Sequence, residues 1–240
     1  MIIDTTIADA VASALLSENE ANTRKHSGNL MASMLSMPTL WQVLSSINIP
    51  SEPFDAYTLA KFKRGRDVEQ AIVPFIPDVI ATQKEIIINK TKGIADVIVD
   101  TKNYKYQCGI MPIEIKSVTN AKFKRISSQG ADIGHRMQGG YYAIGEKADN
   151  YGILYVASDD YRTLLMVFNT SDIERQVRLE MNEYEEIIKT KRIPPFVKKL
   201  DWHENPKYVK YTEWNNLNSE QILEKLQTEF PEHYQFFMSL

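Results

Sequence analysis

Between residues 84 and 118 the apolar pattern changes period, and this change limits the fold more than any other feature. Upstream, Leu59, Phe62, Val68 and Ile72 recur at helical spacing from Tyr57 to about Phe75, and Pro74 and Pro77 close the run. Then "KEIIIN" and "GIADVIVD" are β-rich and joined by the polar "NKTKG", which predicts a hairpin. "QCGIMPIEIKSV" reads as a third strand, in which Pro112 suits an edge, a bulge or a strand start. Helical spacing returns over 127–147 through Ile133, Met137, Tyr141 and Ile144. "YGILYVAS" (151–158) and "TLLMVFN" (163–169) are strands around the turn-like "DDYR"; a long amphipathic helix capped by Ser171 follows. Residues 7–47 read as helical, with breaks near "KHSGN" and at Pro38, and the tail closes with a short helix around 219–228. Helices, three strands, a helix, two strands and a helix predict a mixed α/β or α+β protein with a central sheet.

Composition narrows the function classes. A chain of 240 residues suits one large domain, and 43% apolar with 25% charged residues is the balance of a soluble globular protein. No apolar run approaches the ~20 residues of a membrane span. The first residues carry acids and no basic leader, so a cytoplasmic protein is expected, in the host cytoplasm if it is viral. A single cysteine, Cys108, excludes an internal disulfide framework and an all-cysteine metal site. No P-loop appears, so ATP use is not expected. "HENP" (203–206) lacks a second histidine at helical spacing, and Ser117 has no identifiable histidine partner.

A net charge of −3 argues against a chain that coats nucleic acid everywhere, yet the basic residues are clustered. "KFKRGR" (61–66) has four basic residues in six, and five Lys/Arg lie between Lys116 and Arg136 against one acid, Asp132. These blocks are either solvated faces or a focused field.

The acids inside the strands carry the chemistry. Alternate strand residues share a face, so Glu114 and Lys116 project together while Ile113 and Ile115 point to the opposite layer. Asp96 sits between apolar neighbours in the preceding strand. Carboxylates in such places are costly to desolvate unless compensated. A Lys116–carboxylate ion pair is one compensation. A divalent cation shared by Asp96 and Glu114 is another; Mg²⁺ keeps several waters and needs few protein oxygens. Upstream, "RGRDVEQAI" places Glu69 after Gly65, and downstream "MQGGYYAI" places Gln138 and Tyr142 four apart on one helix face. By pattern alone that last pair also fits an ordinary polar residue and a half-buried tyrosine.

In order, G-x-x-x-E, G-x-A-D, E-x-K and Q-x-x-x-Y resemble the PD-(D/E)XK nuclease superfamily over roughly residues 60–170. The branch resembled is the RecB-like one, with the CRISPR-associated RecB-like exonucleases and their viral relatives. The resemblance implies a restriction-endonuclease-like core with a mixed sheet flanked by helices over 57–170. A helical N-terminal part (1–56) and a C-terminal helix and tail (171–240) would complete a single 1–240 domain. It implies Mg²⁺ or Mn²⁺ held by Glu69, Asp96, Glu114 and the Ile115 carbonyl, with Lys116 as catalytic lysine and Gln138 and Tyr142 supporting DNA or the lysine. Glu69 stands where many RecB-like members have histidine; the phage lambda-type exonucleases have a glutamate in a comparable role.

The iron–sulfur cysteines of many CRISPR-associated relatives are missing, so no cluster is expected, and Trp41, Trp202 and Trp214 are candidates to close the two ends together. Arg64, Arg66, Lys122, Lys124, Arg125 and Arg136 would contact phosphates of single- or double-stranded DNA, and His135 is either a phosphate contact or a surface histidine. Phe123, Tyr141 and Tyr142 suit either base stacking or core packing. The function implied is metal-dependent DNA hydrolysis, as an exonuclease, with a homo-oligomer compatible by analogy. The alternatives are a silent nuclease-fold binding module and a sequence-specific endonuclease.

Overall fold

The computed structural model describes residues 6–21, 28–51, 53–196 and 206–240. Helix α1 (Thr6–Ala21) precedes the short strand β1 (Leu30–Met31), α2 (Thr39–Ser46) and α3 (Ala56–Ile72). Next come the hairpin strands β2 (Val79–Ile88) and β3 (Thr91–Asp100), and then β4 (Ile110–Val118). Helices α4 (Asn120–Gln129) and α5 (Ile133–Glu146) lead to β5 (Asn150–Ala157) and β6 (Thr163–Asn169). The chain ends with α6 (Glu174–Thr190), α7 (Ser219–Glu229) and α8 (Pro231–Ser239). The α/β architecture expected from the sequence, a mixed central sheet flanked by helices, is present.

Local chemistry moves several boundaries. The helix expected over 127–147 is two helices. The Thr119 side chain accepts from the Lys122 N–H and starts α4 early, and Gly130 at φ 91° separates it from α5. Ser171 does not cap α6: it lies in a 3₁₀ turn over 170–172, and the residue preceding α6 is Ile173. Strand β1 interrupts a stretch expected to be helical, because pairing with β3 decides a two-residue conformation that local pattern cannot. Past the helix expected near 219–228, Pro231 opens α8, since proline suits the first turn of a helix.

Strand β3 organises the sheet. One edge runs antiparallel to β2, and the other is divided between two partners. It pairs with β1 in parallel at Leu30↔Thr91 and Met31↔Lys92, and with β4 antiparallel from Val97↔Ile113 to Asp100↔Ile110. Beyond Ile113, β4 leaves β3 and runs parallel to β5, which is antiparallel to β6. Pro112 faces Ile98 one residue before the β5 pairing begins, where its missing N–H removes no ladder bond.

Each sheet face buries its own core. On one, Val97, Val99, Ile113, Ile115, Leu154 and Val156 pack with Val68 of α3. On the other, Ile98, Val118, Ile153 and Tyr155 join residues of α2, α5 and α6. Helix α5 lies close against the strands: a Cβ on Gly139 would come within 2.6 Å of the Tyr151 ring. The Tyr141 hydroxyl lies 2.9 Å and 2.7 Å from the carbonyl oxygens of Ile86 and Thr91, tying α5 to both hairpin strands. Phe123, Tyr141 and Tyr142 are therefore core side chains, and the base-stacking role is corrected: their faces are spent on packing. Trp41 and Trp214 are buried in one core; Trp202 and residues 203–205 of the "HENP" stretch lie outside the described residues. No helix among the described residues is long and apolar enough to cross a membrane.

Candidate functional site

The site forms where β3 and β4 part. Their ladder stops at Val97↔Ile113, and the next residues along the two strands are Asp96 and Glu114. The Ile115 N–H, left without a ladder acceptor, donates to Asp96 Oδ2 at 2.7 Å, which pins that carboxylate beside β4. Glu114 is only 4% exposed; its Oε1 accepts from Lys116 Nζ at 2.5 Å. Its other oxygen, Oε2, is buried without a hydrogen-bond partner among the described residues. Lys116 Nζ also donates to Gln138 Oε1 at 3.0 Å, and Gln138 Nε2 donates to the Tyr142 hydroxyl at 2.9 Å. Close packing of α5 thus turns its i, i+4 pair into a polar line from Tyr142 through Gln138 to Lys116 and Glu114.

Glu69 reaches the same place from α3, and Gln83 holds it: Gln83 Nε2 donates to Glu69 Oε1 at 2.6 Å. Gln83 was missed at the sequence level. The pairs Thr82↔Val97 and Lys84↔Ala95 skip the position opposite Asp96, and Gln83 sits there with φ 48°, an unusual backbone for a strand. The signal was the hairpin register, which sets residue 83 across from residue 96.

The charges work against one another. Burial, then the Glu114 and Glu69 carboxylates, push the Asp96 carboxyl up to about 8, against the pull of the Ile115 N–H and Lys116. Burial and Glu114 also raise Glu69. Burial opposes the charged form of Lys116, yet Glu114 beside it, with Asp96 and Glu69, holds the ammonium above its ordinary value. Burial, then Glu114, raises Tyr142, which stays a neutral phenol.

This donor set suits a small, hard cation. Among the described residues no three His, Cys, Asp or Glu side chains already converge as a cage. Mg²⁺ and Mn²⁺ do not need one: Mg²⁺ is commonly held by one or two carboxylates while keeping waters. Asp96 and Glu114 are a desolvated carboxylate pair with one oxygen unsatisfied, and burial, with Glu114 and Glu69 adding to it, raises the Asp96 carboxyl. Glu69 and the Ile115 peptide border the pair.

The six basic residues named from the sequence fall into different settings. Lys122 and Arg125 both pair with Asp132, at 2.9 Å and 2.6 Å, and Arg66 pairs with Glu18 of α1 at 3.1 Å. Arg136 lies with its guanidinium 4.9 Å from the Phe168 ring centroid, beside Tyr151 and two residues along the helix from Gln138. Arg64 and Lys124 are exposed and make no ion pair among the described residues. His135 Nδ1 is 2.8 Å from the Tyr155 hydroxyl, on the strand next to Lys116. Burial, then Lys116 and Lys122, lower His135 to about 3, so the ring is neutral.

No family model and no curated protein matches the chain. Among solved structures it is similar to an alkaline exonuclease from Laribacter hongkongensis, with 14% identity and a TM-score of 0.45. That likeness spans 76% of this chain and 97% of the other. The same enzyme in complex with dAMP is similar at 15% identity and a TM-score of 0.43, over 76% of this chain and 95% of that one. A phage related exonuclease from Haemophilus somnus 129PT is similar at 11% identity and a TM-score of 0.32, over 78% of this chain and 85% of that one.

Proposed function

We propose that the chain is a metal-dependent deoxyribonuclease of the PD-(D/E)XK type, on the RecB-like branch, acting as an exonuclease. The observation that supports it most is the hydrogen-bonded line Glu114–Lys116–Gln138–Tyr142 ending on a buried, charge-stressed carboxylate pair. A purely structural ion pair does not need a second carboxylate held beside it, an unsatisfied oxygen, and an amide aimed at the lysine.

When bound, Mg²⁺ or Mn²⁺ lowers the pKa of a bound water and neutralises charge on a phosphate. Asp96 and Glu114 would hold the cation, and Glu69 and the Ile115 carbonyl, which border them, would supply its further protein ligands. Lys116, charged and only partly exposed, donates from Nζ to the attacking water or to a non-bridging phosphate oxygen, where negative charge develops. Gln138 accepts from Nζ and limits its rotation, and Tyr142 holds Gln138 in turn. Arg64 and Lys124 are the cations readiest to meet flanking phosphates; Lys122, Arg125 and Arg66 would first have to share or leave their carboxylates.

A second reading has one observation in its favour. The 2.5 Å Lys116–Glu114 pair is what a silent, DNA-binding descendant of such a fold would keep. Digestion of end-labelled linear and closed circular DNA, single- and double-stranded, with Mg²⁺, Mn²⁺ or EDTA separates the readings. Metal-dependent loss of linear DNA alone, abolished by Lys116→Ala, is expected. Cutting of circles would make the protein an endonuclease. Equal, negligible activity in wild type and variant would favour the silent module.

A further inference from the structure

Helix α3 carries a glycine, Gly65, near its middle that its own stability does not call for. Glycine weakens a helix interior relative to alanine, so its presence asks for a reason. Neither usual reason applies. The residue is helical with no left-handed φ, and a Cβ built on it would meet no atom of the described residues within 4 Å.

Position supplies another reason. Four residues on, along the same helix face, stands Glu69, which faces the acids of the site. Three residues back on that face is Phe62, 45% exposed and edge-on to Phe54. Arg64 and Arg66 flank the glycine. Both are exposed; Arg64 makes no ion pair among the described residues, and the Arg66–Glu18 pair is half-exposed, so exchanging it for a phosphate costs little.

We propose that the substrate strand's sugar–phosphate backbone crosses α3 at Gly65, about 6 Å along the helix from Glu69. This rests on the nuclease reading above and adds a subsite to it. A phosphate drawn to a cation that Asp96 and Glu114 would hold requires the next part of the strand to pass close by. A side chain at residue 65 would stand in that path, whereas a bare helix surface lets the backbone approach. Arg64 and Arg66 then reach its phosphates from either side, and the contact reads backbone rather than base sequence. Phe62 offers an exposed ring edge to the nucleotide beyond.

The test pairs stability with binding for Gly65→Ala and Gly65→Gln in the full chain. Binding of a labelled short oligonucleotide, single-stranded and duplex, is read by fluorescence anisotropy with Mn²⁺ in a Lys116→Ala background, so that the strand is not consumed. Thermal melting is read on the same proteins. Both variants are expected to melt higher, by about 2 to 4 °C, because a better helix former replaces glycine in open space. Both are expected to bind DNA more weakly, Gly65→Gln by at least about tenfold. A variant that melts higher and binds as tightly as its parent overturns the crossing and leaves the nuclease reading intact. Variants that melt lower also overturn it, since the protein itself would then be using the space. A wild type that neither binds nor cuts DNA overturns both.

Discussion

Two aspartates a short way apart in the chain are shifted in opposite directions. Asp96 lies among carboxylates, with Glu114 and Glu69 outnumbering Lys116, and its carboxyl is pushed up to about 8, chiefly by burial. Asp132 lies among cations. Burial works against its charged form, but hydrogen bonds from Arg125 and Lys122 and the nearby His135 carry it down to about 2. The Asp132 cluster is a clasp: it ties α4 to the start of α5 with two ion pairs. The Asp96 cluster does the reverse, holding like charges together where a cation would relieve them. Like charges gathered in this way are unfavourable for the fold and are held in place by the packing around them.

Removing Lys116 should give the largest effect. Lys116→Ala is expected to cut metal-dependent cleavage about 10³-fold or more, as loss of a donor to developing charge does, measured in single-turnover digestion of linear DNA. A loss under tenfold would mean that the lysine only pairs with Glu114.

The Asp96 side is sharpened by stability and pH. A carboxyl raised in the fold from 3.8 to about 8 binds its proton more tightly folded than unfolded. Stability from this group is therefore full below about pH 4 and falls as pH rises toward 8. In EDTA at pH 8, Asp96→Asn is expected to be more stable than wild type by about 2 to 5 kcal/mol in urea unfolding, with the gap closing at acid pH. Mn²⁺ should raise the melting temperature of wild type and not of Asp96→Asn. An Asp96→Asn protein less stable than wild type at pH 8 would remove the like-charge account.

Gln138→Ala tests the line behind the lysine. If Gln138, which accepts from Lys116 Nζ, positions the lysine, turnover is expected to fall about 10- to 100-fold with KM nearly unchanged. A rise in KM alone would reassign it to substrate binding.

The clasp should give the smallest effect and the opposite pH sign. A carboxyl lowered to about 2 contributes stability that is whole above about pH 4 and lost as pH falls toward 2. Its partners Lys122 and Arg125 are more than a third exposed, so Asp132→Asn is expected to cost only about 1 kcal/mol at neutral pH. The same change releases Lys122 and Arg125 from this carboxylate, so DNA affinity should rise, or hold with a steeper salt dependence. A fall in affinity would show that Asp132 presents these cations instead of withholding them.

Much of this was legible in the sequence because it depends on neighbours a few residues apart. The hairpin, the two later strands and the pairing of Glu114 with Lys116 on one strand face follow from a two-residue period, and Gln138 with Tyr142 from a helical one. What period cannot convey is what lies across a gap. That β4 peels from β3 just before Glu114 and frees the Ile115 N–H for Asp96 depends on β1 and β5 taking the remaining edges. That Lys122 and Arg125 answer to Asp132 depends on Gly130 folding α4 back toward α5.

The sequence by itself determined the hairpin, the third strand and the two later strands, the types of side chain available for chemistry and which of them share a face, since these rest on local geometry. Only the tertiary structure decided that Asp96 comes within electrostatic reach of Glu114 and Glu69, that Gln83 takes a strained backbone to hold Glu69, and that Tyr142 is buried behind Gln138. Long-range approach is settled by how sheet and helices bury apolar surface together, and a carboxylate's energy by what that packing leaves beside it.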